Sequence, residues 1–318
     1  MSDTPPAEIA CGWLAAMRRG DWEHAWRHTD RLERVRRQRQ HLPGFVRGPD
    51  HLCWDGTPFD GRRVLVRCEH GLGDTIQFVR FVPRLTHLAR EVHLMIQPAL
   101  LDLFAGAPQL GVVHNGWTEW WPAPAHDGEI EIMELAYALR VTMDALPPPY
   151  PHLARQVAGH SPIRLPSDGR LRVGLVWAAS RWDDTRSIAL AALEPLLRLA
   201  GVRFFSLQQG EAAADPVLGQ FGIERLSQDT REVAAAAAAM QQLDLVVTVD
   251  NMVAHLAGTL RRPTWLLLKR DADWRWMDDR SDSPWYPSMR LFRQEREGDW
   301  DPVVQQLAHA VATRPSRA

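Results

Sequence analysis

Residues 64–85 read VLVRCEHGLGDTIQFVRFVPRL, and this stretch decides the fold. Val64-Leu65-Val66 is a short apolar run of the kind that forms a strand buried on both faces. Gly71-Leu72-Gly73-Asp74 then interrupts it. Ile76, Val79, Val82 and Leu85 follow at helical spacing. Strand, glycine turn and helix make the first half of a βαβ unit. The pattern continues outward. Val92 to Ile96 reads as a strand and Leu100 to Phe104 as a helix. Val112-Val113 and Ile130-Glu131-Ile132 read as shorter strands. Strands alternating with helices predict a parallel sheet covered on both faces.

Residues 147–170 hold Pro147, Pro148, Pro149, Pro151, Pro162 and Pro166, the strongest linker signal in the chain. Beyond it the alternation restarts. Val173 to Trp177, Val202 to Leu207, Leu243 to Val249 and Thr264 to Leu268 read as strands. Ala191 to Leu199, the alanine-rich Ala234 to Gln242, and Met252 to Leu260 read as helices. Two α/β units in tandem predict two Rossmann-like domains facing a cleft, with ligands at the carboxyl ends of the strands. At the other end, residues 6–36 predict two helices. Ile9, Trp13, Leu14 and Met17 lie on one, and Trp22, Ala25 and Trp26 on the next, with Gly20-Asp21 between them. The pair is similar to half of a tetratricopeptide repeat, but no second copy follows. It reads as a helical cap over residues 1–45, followed by domains over 46–155 and 156–318. Residues 37–61 are rich in proline and glycine and read as a connection.

Composition sets bounds on function. The 318 residues carry 45% hydrophobic and 24% charged residues and a net charge of -2, which excludes wholesale disorder and a basic field for nucleic acid. No apolar run approaches the ~20 residues of a membrane span. The N-terminal Met1-Ser2-Asp3-Thr4-Pro5-Pro6 has no basic and apolar leader pattern, so the expected compartment is the cytoplasm, with peripheral membrane contact still compatible. Cys11, Cys53 and Cys68 have no metal-ribbon or disulfide spacing. Lys269 is the single lysine. Tryptophans cluster at Trp117, Trp120 and Trp121 and again at Trp274, Trp276 and Trp285.

Four segments carry candidate chemistry. Glu69-His70-Gly71-Leu72-Gly73-Asp74 follows the first strand; its glycines allow a tight turn, and Asp74 either caps the helix or serves as a cleft carboxylate. Trp177-Ala178-Ala179-Ser180 through Arg186-Ser187 is a long strand-to-helix loop. Its Arg186 either grips a phosphate or joins surface ion pairs. Asp250-Asn251-Met252-Val253-Ala254-His255 ends a strand and opens a helix. The free N–H groups there suit a diphosphate, and Asp250 either caps the helix or takes sugar hydroxyls. His255, one turn in, is either a packed residue or part of that site. Asp271-Ala272-Asp273 has an acid-x-acid spacing, which arises often by chance, and no metal site is assigned. Trp274, Trp276 and Trp285 either stack on a nucleobase or pack their loop.

In this order the segments resemble glycosyltransferase family 9, the heptosyltransferase-like group, in the form found at the end of bacterial tetratricopeptide-repeat proteins. The strings that carry the likeness are Trp54-Asp55-Gly56; Glu69 to Phe78; Val173 to Trp177; Arg186-Ser187-Ile188; Phe204 to Gln208; Asp250 with Ala254 to Gly258; and Asp273 to Trp276 through Ser283 to Pro287. They span roughly residues 50–312.

The resemblance implies a GT-B fold, with the acceptor on the first domain and a nucleotide sugar, ADP-heptose being the family example, on the second. It implies inverting transfer with no metal and no cofactor beyond that co-substrate. The acceptor would be a hydroxyl on a glycan, a lipid-linked saccharide such as lipopolysaccharide, or a protein. Asp74 matches the proposed general base. Glu69, His70, Gly71 and Gly73 form the acceptor loop. Trp177, Ser180, Arg186, Gln208, Glu211, Asp250, Asn251, Met252, Val253 and His255 form the donor site. Heptosyltransferases have a lysine in the loop after the strand ending at Trp177, where this chain has Thr185 and Arg186. Asn251-Met252 stands where related domains have small hydroxyl residues. Two other readings share the architecture: a relative that binds without turnover, and a sugar-nucleotide epimerase.

Overall fold

The computed structural model describes residues 6–39, 53–116, 123–157 and 163–314. Trp117, Trp120 and Trp121 lie outside the described residues, as do residues 40–52 of the connection and Pro162 of the linker. The chain divides into two compact units, Met1–Pro148 with Asp273–Asp279, and Pro149–Ala272 with Arg280–Ala318.

The first unit runs α1 (Pro6–Arg18), α2 (Trp22–Arg39), β1 (Arg63–Arg67), α3 (Leu72–Phe78), α4 (Val82–Leu88), β2 (Glu91–Ile96), α5 (Leu101–Phe104), β3 (Val112–Asn115), β4 (Gly128–Glu131) and α6 (Leu135–Ala138). Its four strands are parallel in the order β3-β2-β1-β4. Val64 sits opposite Val92 on one side and Gly128 on the other. Val64, Leu65 and Val66 are all buried, as a strand covered on both faces requires. Each such side chain contributes about 1.5–3 kcal/mol on full burial.

The helical cap is not a separate body but part of this first unit. The Trp26 indole N–H donates to the Val141 carbonyl at 2.7 Å. Asp30 accepts from the Tyr137 hydroxyl at 2.7 Å and from Arg140. Arg36 donates to the Trp54 carbonyl at 2.8 Å. These long-range bonds cannot be read from local spacing, and residue 45, where the sequence reading ends the cap, lies outside the described residues.

The second unit runs α7 (Leu153–Gln156), β5 (Leu171–Val176), α8 (Glu194–Leu197), β6 (Val202–Ser206), α9 (Val217–Gln220), β7 (Glu224–Arg225), α10 (Val233–Met240), β8 (Leu245–Val249), α11 (Met252–Thr259), β9 (Thr264–Leu268), β10 (Met289–Arg293) and α12 (Asp301–Ala312). The sheet is parallel in the order β10-β9-β8-β5-β6-β7. α12 buries Val303, Val304, Leu307, Ala308 and Val311 in the same core as Leu193, Leu196 and Leu197.

In both sheets the chain order reverses beside the first strand of the unit. β1 lies between β2 and β4, and β5 between β6 and β8. Such switch points leave a crevice at the carboxyl ends of the two central strands. The loops after β1 and β4, and after β5 and β8, open there.

Candidate active site

The loop after β1 is built around one carboxylate. Gly71 precedes α3, and Asp74, at the third helical position, accepts the Gly71 N–H on Oδ2 at 3.0 Å. The other oxygen, Oδ1, accepts from Arg275 Nη2 at 2.6 Å. Asp74 is thus both a cap and an ion-pair partner, and each oxygen keeps a lone pair for a further donor. Gly71 has an extended backbone, φ -69°. A Cβ there would lie 3.1 Å from Asp74 Oδ2, so close approach is what its missing side chain permits.

Neighbouring groups fix the loop. Thr75 donates to Gln97 Oε1 at 2.9 Å, and Gln97 Nε2 donates to the His70 carbonyl at 2.9 Å. Glu69 and His70 are exposed. The last residue of β4, Glu131, is buried; it accepts the Met133 N–H at 2.6 Å and the Glu69 N–H at 3.4 Å. His70 Nε2 stands 3.9 Å from its Oε2. Burial pushes the Glu131 carboxyl up to about 8, helped by the charges of Glu134 and Asp74. Glu134 is pushed up to about 7 by burial, although its carboxylate accepts N–H bonds from Cys53, Trp54 and Glu131. Composition and spacing gave no signal for these two acids.

Asp273, read in sequence as half of an acid-x-acid pair, belongs to the first unit. Its Oδ1 accepts the backbone N–H of Arg275 at 2.9 Å and Arg275 Nη1 at 3.0 Å. The guanidinium is therefore shared by two carboxylates. No group of three or more possible metal-ligating side chains occurs among the described residues. Trp276 and Trp285 are buried, so neither offers a face to a nucleobase. Trp274 packs edge-on against Trp13. Of the two readings of these aromatics, packing is what the fold uses.

Elsewhere in the first unit, a cavity of about 580 Å³ is lined by Asp30, Glu33, Arg34, Arg37, Trp54, Gly56, Tyr137 and Arg140. Much of its charge is paired across its own walls: Arg140 with Asp30, and Arg37 with Glu33.

In the second unit Ser180, Arg186 and Asp250 meet at the β5/β8 switch point, while others of the expected donor residues face inward or lie on another loop. Arg186 Nη1 donates to the Asp250 carbonyl at 2.9 Å, Nη2 to Ser180 Oγ at 3.2 Å, and Nε to the Asp183 carbonyl at 3.2 Å. This guanidinium fastens the loop after β5 to the end of β8. Gln208 Oε1 accepts the N–H groups of Trp177 and Ala178 at 3.1 and 2.9 Å, and Nε2 donates to the carbonyls of Ala178 and Gln209. Trp177 points into the core of the second unit. Trp177 and Gln208 therefore shape the crevice rather than line it.

The cap of α11 is Asn251, not Asp250: its Oδ1 accepts the Val253 N–H at 2.9 Å. Asn251, Met252 and Val253 are part-exposed, while Glu211 is exposed on the loop after β6. His255 is buried, with Nδ1 2.9 Å from the Tyr286 hydroxyl. A Cβ on Gly258 would strike the Tyr286 ring at 2.5 Å. His255 and Gly258 thus seat Tyr286, and two of the sequence strings explain one another as packing. Sequence reasoning missed Lys269, the residue after β9. Its Nζ donates to Asp183 Oδ2 at 2.9 Å and Thr185 Oγ1 at 3.0 Å. Its uniqueness in the chain was the available signal.

This is the two-sheet α/β fold of the GT-B heptosyltransferases. The chain is similar to the Escherichia coli heptosyltransferase WaaC with ADP-2-deoxy-2-fluoro heptose, at 13% identity and TM-score 0.52, over 79% of this chain and 100% of that one. It is similar to the E. coli ADP-heptose lps heptosyltransferase II at 13% identity and TM-score 0.52, over 79% and 98%. A glycosyl transferase family 9 structure from Veillonella parvula matches at 12% identity and TM-score 0.53, over 81% and 98%. In sequence the chain is 27% identical over 290 residues to protein FlbA of Caulobacter vibrioides, covering 81% of this chain. The chain spans about half the length of that curated relative, 48%. No protein-family profile matches it. No described helix is long and apolar enough to cross a membrane.

Proposed function

We propose that the chain is an inverting glycosyltransferase that moves a sugar from a nucleotide-sugar donor to a hydroxyl acceptor. The observation that carries this reading is Asp74, an oriented carboxylate at the switch point of the first sheet. The acceptor oxygen attacks the anomeric carbon as the bond from that carbon to the diphosphate oxygen breaks. The acceptor proton passes to Asp74, and the nucleoside diphosphate leaves with the bonding pair. A positioned carboxylate contributes about 10²–10⁴-fold to such a step.

The departing diphosphate needs donors aimed at its developing charge. The N-terminus of α11, with part-exposed Asn251, Met252 and Val253, is the proposed cradle. Arg186 holds that cradle together and adds positive charge beside it. The reading needs no metal or other cofactor. The heptosyltransferases of the same fold make ADP-heptose the first donor to test. The acceptor class is a glycan, a lipid-linked saccharide or a protein, and the working compartment is the cytoplasm.

A thermal-shift panel of nucleotide sugars tests the reading. A donor at 100 times its Kd stabilises by about 2.7 kcal/mol. One nucleotide sugar should raise the melting temperature clearly more than its free nucleotide does. No shift with any member of a broad panel contradicts the donor site.

A further inference from the structure

We infer that Arg275 is a positioning residue for Asp74, and that the N-terminal helical cap holds it in place; the catalytic half of this inference rests on the glycosyltransferase reading. Arg275 reaches the loop after β1 from 201 positions away in sequence. Its guanidinium is buried and almost fully engaged. Nη2 meets Asp74 Oδ1 at 2.6 Å, Nη1 meets Asp273 Oδ1 at 3.0 Å, and Nε donates to Gln77 Oε1 at 2.8 Å. It also lies over the rings of Trp274, at 4.5 Å, and Phe78, at 5.6 Å. Gln77 and Phe78 belong to the same helix as Asp74, so the contact clamps the helix as well as the carboxylate. Guanidinium on Oδ1 and the Gly71 N–H on Oδ2 leave the carboxylate little rotational freedom. The remaining lone pairs then point in fixed directions, as a proton acceptor requires.

Arg275 rides on a short strap, Asp273–Asp279, that the chain inserts into the first unit. The cap holds this strap. The Trp13 and Trp274 rings meet edge-on with centroids 5.5 Å apart. The Asp278 N–H donates to the Arg18 carbonyl, the last residue of α1, at 3.2 Å. A Cβ on Gly20 would lie 3.7 Å from Met277 Sδ, so the turn between α1 and α2 packs on the strap too. The path from cap to strap to Arg275 to Asp74 is continuous contact. The cap is therefore a working part of the candidate site, and disturbance of its first helix reaches Asp74.

The test uses the full chain and the variants Arg275→Gly, Trp13→Ala and Trp13→Phe, with two readouts. Hydrogen exchange needs no turnover. Residues 69–78 and 273–279 should exchange about threefold faster or more in Arg275→Gly and Trp13→Ala, while Trp13→Phe, which keeps a ring, stays near wild type. Unchanged exchange over 69–78 in both variants overturns the inference. In nucleotide-sugar turnover, Arg275→Gly should lose about 10–100-fold in kcat with donor KM within about twofold. Added guanidinium should restore part of that loss, and should not rescue Asp74→Asn. A folded Arg275→Gly chain with normal kcat, or one that guanidinium leaves unrestored, overturns the positioning role. If wild type turns over no nucleotide sugar while the exchange arm behaves as expected, the glycosyltransferase reading fails and the coupling of cap, strap and Asp74 stands.

Discussion

Replacing Asp74 perturbs stability and chemistry by amounts that its bonds set separately. Asp74→Ala removes the acceptor for the Gly71 N–H, a cap contribution of about 1 kcal/mol. It also removes the charge-assisted bond to Arg275, worth about 1.5–3 kcal/mol. Arg275 retains Asp273 and Gln77, so no naked charge is left behind. The expected loss is about 2.5–4 kcal/mol. For a body of this size that is roughly 5–15 °C in melting temperature. Asp74→Asn is not silent, although its size is unchanged. Both carboxylate oxygens act as acceptors, so the amide sets an N–H against either Gly71 or Arg275, costing about 1–3 kcal/mol. Its rate per folded molecule should fall about 10²–10⁴-fold, because the amide is no base. Calorimetry gives the stability, and nucleoside diphosphate release below the transition gives the rate. A lowered melting temperature with turnover within twofold of wild type would reduce Asp74 to a cap and an ion-pair partner. An unchanged melting temperature in both variants would refute the bonding pattern itself.

Three more outcomes follow from the geometry. Arg186→Ala should weaken nucleotide-sugar affinity by roughly 1.5–3 kcal/mol and also lower the melting temperature, since the Asp250 carbonyl loses its donor; calorimetric titration with unchanged affinity removes Arg186 from the donor site. Transfer should persist in excess chelator, because Asp74 and Asp273 are both ion-paired to Arg275 and no group of three or more possible metal-ligating side chains occurs among the described residues; activity abolished by chelation and restored by magnesium or manganese contradicts this. Glu131, pushed up to about 8, and Glu134, pushed up to about 7, hold protons in the folded state that the unfolded chain releases near 4.5. Their stabilising contribution is full below about 4.5 and is lost as pH rises toward 8, at up to about 1.4 kcal/mol per pH unit per proton. Melts from pH 5 to 8 should show a flatter decline in Glu131→Gln than in wild type, and parallel curves refute the assignment.

The two parallel sheets were legible because apolar runs of strand length alternate with helical periods along most of the chain. Val303, Val304, Leu307 and Val311 carry a helical period too, the one that α12 uses. Asp74 was legible from its place after a strand and a glycine turn. Its partner Arg275 was not, because no local pattern announces a bond across 201 residues. The same limit hides the partner of Trp274: packing is one of the two readings its string allows, but that it packs on α1, far away in sequence, is not legible locally. The donor residues show a different limit. Strands buried on both faces lack an in–out alternation, so the inward turn of Trp177 could not be foreseen. His255 and Tyr286 stand 31 residues apart, and only packing reveals that one seats the other.

The most direct test of the proposed activity is to incubate the purified chain with ADP-heptose and a panel of hydroxyl acceptors, and to follow ADP release and the anomeric configuration of the product by nuclear magnetic resonance. ADP release should be matched by a new glycosidic bond whose anomeric configuration is opposite to the donor's. Retained configuration, or an isomerised donor with no ADP released, would contradict it.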